Sequence, residues 1–195
     1  MTRAYFTYGR MNPPTMGHAR LINTMLEKAR ANKAKPFIVV TLTQNRNKNP
    51  LSPAQKVEIL KMMYPNVNVI ASSKPVEFIN KLRASGYNNI QMALGSNRVN
   101  SFKWLNITKI AGGQRNNSKN NVSGISATKA RLAARTGTLN NFRRFMSPRV
   151  NSAAIMKLIK NVVPNAGRSA VPVKRTRTNN NGPRPSTEKK TRGKK

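Results

Sequence analysis

The sequence predicts an α/β fold in which a doubly wound parallel sheet is followed by a disordered basic C-terminal tail. Three observations support this prediction. Strand-like and helix-like patterns alternate up to residue 165, the strand-like runs are rich in β-branched residues, and the composition changes sharply after that residue. Alternating strands and helices favour parallel strands covered by helices on both faces. We therefore expect a domain over residues 1–165 and a tail over residues 166–195.

The elements of the domain follow in a regular order. Strands are predicted over residues 4–9, 36–43, 67–72, 90–95 and 107–112, and helices over residues 17–33, 52–64, 75–86, 99–105, 126–137 and 152–163. Ser52 and Ser126 stand at helix starts as N-caps, Pro53 occupies a first helical position, and Gly137 marks a helix end. The order is typical of a Rossmann-like sheet, which binds its ligands at the carboxyl ends of its strands.

Charge is the extreme feature of this chain. Its 195 residues contain 37 Lys and Arg against four acidic residues, all of them glutamate, and the formal net charge is +33. The first 165 residues hold 27 of the basic residues, and the tail, too poor in apolar residues to fold alone, holds ten. The missing aspartate indicates selection against negative charge and predicts a nucleic-acid partner. The 6% aromatic content favours contacts with the backbone over extensive base stacking.

Other classes of protein are excluded or disfavoured. The absence of cysteine excludes a disulfide scaffold and a thiolate metal site. No apolar run approaches the length of a membrane span, and the N-terminus has no signal-peptide pattern, so we expect no membrane partner and no secretion. The expected location is the cytoplasm or a virion, with the nucleus as an alternative suggested by "PVKRTR" and "EKKTRGKK". The oligomeric state stays open.

The stretch "GRMNPPTMGH", residues 9–18, contains the only histidine of the chain. A strand ends at Gly9, two prolines stiffen the loop, and the next helix begins near Thr15 and His18. A helix N-terminus offers free N–H groups and a positive dipole end, which suit a phosphate. Thr15 and His18 could then lie beside the same anion. The alternative is a histidine that caps or packs in a helix turn.

Two further junctions between strand or loop and helix strengthen the case for a phosphate site. In "GISATKARLAARTG", residues 124–137, Ser126 and Thr128 offer hydroxyls at a helix N-terminus and Arg131 adds positive charge. In "ALGSNRV", residues 93–99, a strand ends at Gly95 and Ser96. Because the carboxyl ends of parallel strands share one edge, the three junctions predict a composite phosphate-binding site.

With these motifs the sequence resembles the nucleotidyltransferase superfamily. "GRMNPPTMGH" is similar to its first motif, with threonine in place of the first histidine, as in nicotinamide-nucleotide adenylyltransferases. "ISATKAR" is similar to its second motif, and residues 49–65 and 95–102 resemble stretches of small phage and viral members. The resemblance covers roughly residues 3–160. It implies transfer of AMP or CMP from a nucleoside triphosphate to a phosphate-bearing acceptor, with release of pyrophosphate.

The resemblance also implies roles for individual residues. Thr15, His18 and Arg131 would be catalytic, and the nucleotide-binding residues would be Gly9, Arg10, Asn12, Gly17, Gly95, Ser96, Asn97, Ile125, Ser126 and Thr128. No residue is expected to hold a metal ion, because Mg²⁺ would be carried by the triphosphate. Positioning and charge neutralisation would supply most of the catalysis.

Two positions depart from the family pattern or allow two interpretations. Asn97 stands where small members usually have aspartate, which would alter acceptor recognition or would reflect the removal of acids along the whole chain. Trp104 could stack on a nucleotide, but packing of a helix against the sheet is favoured for a single tryptophan.

The sequence is compatible with more than one function. The first is an active nucleotidyltransferase whose basic tail sets its location. The second is a catalytically weakened or inactive protein on this fold that binds nucleic acid in a virion or ribonucleoprotein. A third, attachment to anionic lipid, is disfavoured because the tail has few apolar residues.

Overall fold

A computed structural model describes residues 2–112 and 125–162. It contains a five-stranded sheet and six α-helices within these ranges. The strands are β1 (Arg3–Gly9), β2 (Lys35–Thr41), β3 (Asn68–Ser72), β4 (Asn89–Gly95) and β5 (Thr108–Gly112). The helices are α1 (Met16–Ala31), α2 (Pro53–Met63), α3 (Pro75–Ala84), α4 (Ala127–Thr136), α5 (Leu139–Arg143) and α6 (Ser152–Val162).

The sheet is parallel throughout and has the strand order β3-β2-β1-β4-β5. The chain therefore winds outward from β1 to β3, crosses back to β4 and continues to β5. This order confirms the predicted Rossmann-like architecture, with β1 at the centre and a change of winding direction between β1 and β4. A ligand of such a sheet binds outside the carboxyl ends at that change of direction.

Two apolar cores cover the two faces of the sheet. Successive side chains of a strand point to opposite faces, so Phe6 and Phe37 enter one core while Tyr5 and Ile38 enter the other. On the first face, the Phe78 ring of α3 meets those of Phe6 and Phe37 edge-on, at centroid distances of 5.2 and 5.5 Å. On the second face lie α1, α2 and the C-terminal helices α4 to α6.

Local signals explain where the helices begin and end. Ser52 caps α2, since its hydroxyl accepts the Gln55 backbone N–H at 3.2 Å while the Gln55 side chain accepts the Ser52 N–H at 2.9 Å. Ser126 caps α4 by accepting the Lys129 backbone N–H at its hydroxyl, at 3.2 Å, and Gly137 follows the last residue of the helix. These three features were predicted correctly.

One predicted helix needs correction, and one helix was missed. The stretch 99–105 was expected to be a helix, but Ser96–Arg98 and Asn100–Phe102 form two short 3₁₀ turns instead. Val99, Phe102 and Leu105 are spaced by three residues, and a 3₁₀ turn with three residues per turn aligns them on one face. These side chains pack on the first core, so packing selects the tighter turn. The five-residue helix α5 was not predicted at all.

Among the described residues, no helix combines the length and the apolar character that crossing a membrane requires. The predicted tail, residues 166–195, lies outside the described residues, as does the segment 113–124 that precedes the second motif. The predictions made for these segments stay predictions.

Candidate active site

A cavity of about 610 Å³ opens at the carboxyl edge of the sheet. Three strand ends mark this edge: Gly9 of β1, Gly95 of β4 and Gly112 of β5 all line the cavity. Gly95 and Gly112 are register partners across the β4–β5 pair. One face of α1 and the first turn of α4 supply other parts of the lining. The cavity therefore lies where a parallel sheet of this order binds ligands.

Ten of the thirteen predicted site residues line this cavity. They are Gly9, Arg10, Asn12, Gly17, His18, Gly95, Asn97, Ile125, Thr128 and Arg131. The other three do not line the cavity, but each is adjacent to a lining residue in the chain or in space. Thr15 is fully buried next to His18, Ser96 begins the 3₁₀ turn after Gly95, and Ser126 caps α4. The three predicted junctions thus converge on one cavity, while the role of each residue stays a prediction.

His18 is oriented by the backbone at the start of α1. The Thr15 N–H donates to His18 Nδ1 at 3.1 Å, and Thr15 Oγ1 lies 2.9 Å from the same nitrogen. Because a backbone N–H can only donate, Nδ1 is the acceptor and the proton of the neutral ring is on Nε2. His18 therefore caps the helix and also lines the cavity, so the two interpretations of this histidine are compatible.

The loop before α1 is held by a buried amide. Asn12 Nδ2 donates to the Leu51 carbonyl at 2.8 Å, and the Leu51 N–H donates to Asn12 Oδ1 at 3.0 Å. Both residues are almost completely buried. Met11 is also buried and has φ 42°, in the left-handed region that bulky residues rarely adopt. The contacts around this loop therefore enforce a backbone conformation that the residue itself disfavours.

Arg131 connects the second motif to this loop. Its Nη1 donates to the Asn12 carbonyl at 2.7 Å, and its Nη2 donates to Thr128 Oγ1 at 3.1 Å. Burial lowers the pKa of the Arg131 guanidinium, and the nearby charges of Arg135 and Arg10 lower that pKa further. Three guanidinium groups thus concentrate positive charge beside the cavity, which favours an anionic ligand.

Glycine at position 17 allows the two motifs to touch. A Cβ added to Gly17 would lie 2.6 Å from the carbonyl oxygen of Ile125, closer than real Cβ contacts. The contact is between backbones, since Gly17 is in the first turn of α1 and Ile125 immediately precedes Ser126, the N-cap of α4. The N-termini of two helices are therefore held side by side at the cavity.

The cytidylyltransferase-like family matches residues 6–133, which include both motifs. The chain belongs to the cytidylyltransferase-like family. No curated protein sequence matches it. This membership supports the superfamily assignment made from the motifs and, in general terms, nucleotidyl transfer.

Two solved structures of adenylyltransferases are similar to this chain in fold. A protein assigned as a nicotinate-nucleotide adenylyltransferase from Vibrio parahaemolyticus has a TM-score of 0.55 and 14% identity, covering 82% of this chain and 96% of that one. Nicotinic acid mononucleotide adenylyltransferase from Plasmodium falciparum, complexed with NaAD, has a TM-score of 0.55 and 12% identity, covering 82% of this chain and 95% of that one. At these identities the likeness establishes the fold.

Several lining residues of this cytidylyltransferase-like domain were not predicted. Arg20, Thr24 and Glu27 follow Gly17 along one face of α1 at spacings of three and four residues, and Arg98 follows Asn97. The helical spacing from Gly17 was the signal that could have identified the α1 residues. Arg98 could have been found from its position next to a predicted site residue.

The position of Trp104 differs from the prediction. Its side chain is 64% exposed, so the expectation that it packs a helix against the sheet is wrong. It is also not among the residues that line the cavity. The reason is the 3₁₀ spacing of the segment, which directs residues 99, 102 and 105 to the core and leaves position 104 outside that face.

Proposed function

We propose that this chain transfers a nucleotidyl group, AMP or CMP, from a nucleoside triphosphate to a phosphate-bearing acceptor and releases pyrophosphate. One observation carries the proposal: two helix N-termini, His18 and Arg131 meet at a single cavity at the carboxyl edge of the sheet. Each of these features alone favours an anion, and together they suit a chain of phosphates.

The proposed reaction is an in-line displacement at the α-phosphorus. An oxygen of the acceptor phosphate forms the new bond to the α-phosphorus, and the bond from that phosphorus to the bridging oxygen of the β-phosphate breaks. Pyrophosphate leaves with the bonding electrons, so no covalent enzyme intermediate is needed. The chain contributes by orienting the two phosphates and by stabilising the charge that develops between them.

Named residues supply these contributions. The His18 ring, with its proton on Nε2, is suited to donate to a phosphate oxygen. Arg131 is suited to neutralise the β- and γ-phosphates together with the N-terminus of α4. Thr15 is buried, so its proposed part is to fix the His18 ring rather than to bind the ligand. Asn12 similarly positions Arg131 through its carbonyl group.

The lining residues do not form a carboxylate cage for Mg²⁺. Glu27 is the only acidic residue among the described residues that line the cavity. The described ranges also contain no group of three His, Cys, Asp or Glu side chains that could hold a metal ion. Mg²⁺ prefers oxygen ligands and is often bound through substrate phosphates. We therefore assign no step to a metal held by this chain, and Mg²⁺ carried by the triphosphate stays a prediction.

Pyrophosphate release tests the proposal. The purified chain is mixed with Mg²⁺ and ATP or CTP against a panel of phosphate-bearing acceptors, beginning with nicotinic acid mononucleotide because the Plasmodium relative bears that name. High salt removes bound nucleic acid. Release is expected with one pair, and His18→Ala is expected to lower kcat by about 10²–10³.

Two conservative variants separate catalysis from helix capping. The oxygen of His18→Asn can replace Nδ1 as the acceptor for the Thr15 N–H but leaves no donor at the position of Nε2. His18→Gln places an amide N–H near that position. We expect His18→Asn to be as inactive as His18→Ala, and His18→Gln to keep part of the activity. Equal turnover in His18→Ala and the wild type, or no binding of any triphosphate, would overturn the proposal.

A further inference from the structure

Trp104 is held in a fixed position on the surface. Its indole Nε1–H donates to the Ser101 carbonyl at 3.1 Å, which satisfies its polar atom within the segment. The next residue, Leu105, is buried, and its N–H donates to the Phe102 carbonyl at 3.0 Å. The chain on either side of the ring is thus anchored to the core while 64% of the side chain is exposed. An exposed tryptophan held in this way provides a flat apolar face to a ligand.

The exposed sequence neighbours of Trp104 are polar or basic. The exposed neighbours in the segment 96–106 include Asn100, Lys103 and Asn106. No aspartate or glutamate occurs anywhere from Phe78 to Thr187 in the sequence. The segment itself therefore attracts a ligand by positive charge and contributes no carboxylate of its own.

The same segment begins at the cavity. Asn97 and Arg98 line the cavity, and the 3₁₀ turns connect Arg98 to Lys103 and Trp104. At a rise of about 2 Å per residue, Trp104 lies within about 12 Å of Arg98 along the chain. A stacking face, two cations and the cavity opening thus follow one another on a single short segment.

These features favour one class of ligand, nucleic acid, over another, an anionic membrane. Insertion into an anionic membrane requires several apolar side chains together, but the other exposed large hydrophobic residues, Leu42, Met62, Ile70, Val76 and Leu132, all lie outside this segment. A single aromatic face beside cations suits an unpaired base and its phosphate backbone. We propose that the segment 96–106 binds single-stranded nucleic acid, with a base stacked on Trp104 and phosphates on Lys103 and Arg98.

Binding can be followed directly, because Trp104 is the only tryptophan of the chain. The full chain is titrated with a short oligothymidine strand and with a duplex of matched length, without a triphosphate, so the result does not depend on the proposed reaction. The single strand is expected to quench the tryptophan emission to saturation. In anisotropy titrations with labelled strands, Trp104→Ala is expected to weaken single-strand binding about tenfold and to leave duplex binding unchanged.

Charge variants distinguish binding at the segment 96–106 from non-specific attraction by the net positive charge of the chain. Lys103→Ala is expected to weaken single-strand binding and to reduce its salt-dependence slope by about one. Lys160→Ala removes the same charge from α6, which packs on the other face of the sheet, and is expected to have no effect. Equal losses in these two variants would overturn the proposal in favour of diffuse electrostatic binding. Unchanged affinity in a folded Trp104→Ala protein would also overturn it, as would an emission shift with phosphatidylserine vesicles but not with the strand.

Discussion

Substitution of Gly17 by alanine tests the close contact between the two motifs. The new Cβ would lie 2.6 Å from Ile125 O, and the two would have to separate by about 0.4 Å even to reach the 3.0 Å that real contacts hardly ever fall below. The neighbour is a backbone carbonyl, so no side-chain rotation relieves the overlap. Overpacking costs about 1–3 kcal/mol, and alanine in place of glycine in a helix recovers about 1 kcal/mol. We expect a loss of up to about 2 kcal/mol in the free energy of unfolding.

The stability loss should be accompanied by weaker nucleotide binding, because the overlap pushes apart the N-termini of α1 and α4. Gly86→Ala is the matched control. Gly86 has φ 83° and no atom within 4 Å of an added Cβ, so alanine there costs about 1–2 kcal/mol through strain alone. Urea unfolding and calorimetric titration with ATP would measure both effects. If Gly17→Ala were more stable than the wild type and bound ATP equally well, the reasoning would be refuted.

Three other substitutions have definite expected outcomes. Asn12→Ala leaves the buried N–H and C=O groups of Leu51 without their partners, so urea titration should show a loss of about 2–4 kcal/mol in the free energy of unfolding. Burial lowers the pKa of Lys56 to about 8. Between this value and its ordinary 10.5 the unfolded chain binds a proton that the folded chain does not, so wild-type stability should rise with pH. Lys56→Met should remove that contribution, and an equal difference between variant and wild type at both ends of the window would contradict it. Arg131→Lys keeps the charge but cannot bridge the Asn12 carbonyl and Thr128 Oγ1, so calorimetry should show triphosphate affinity falling about tenfold or more.

Much of the fold could be predicted because its signals are local. Strand β2 is a β-branched run, α2 begins with a serine cap followed by proline, and α4 lies between Ser126 and Gly137. The errors also have local causes. The three-residue spacing around Phe102 fits a helix turn of either kind, and α5 is too short for a periodicity to be visible.

For the candidate site, the sequence predicted the three junctions between strand or loop and helix but not the contacts that join them. Parallel strands bring their carboxyl ends together, so Gly9 and Gly95 were expected at one edge. The links between the junctions depend on residues far apart in the chain. The Asn12 amide bonds to Leu51, 39 residues away, and Arg131 reaches the Asn12 carbonyl across 119 residues. No local pattern encodes such pairs.

Acidic residues are scarce in this chain, and other groups orient the residues of the candidate site. Histidine is often fixed by a carboxylate, but His18 is fixed by the Thr15 N–H. Arg131 is held by a backbone carbonyl and a hydroxyl, and the loop that supplies that carbonyl is held by the Asn12 amide. Since neutral groups make these contacts, an arrangement suited to phosphate chemistry does not need carboxylates to orient its residues. Strong positive charge and the proposed nucleotidyltransferase site are therefore compatible in one domain.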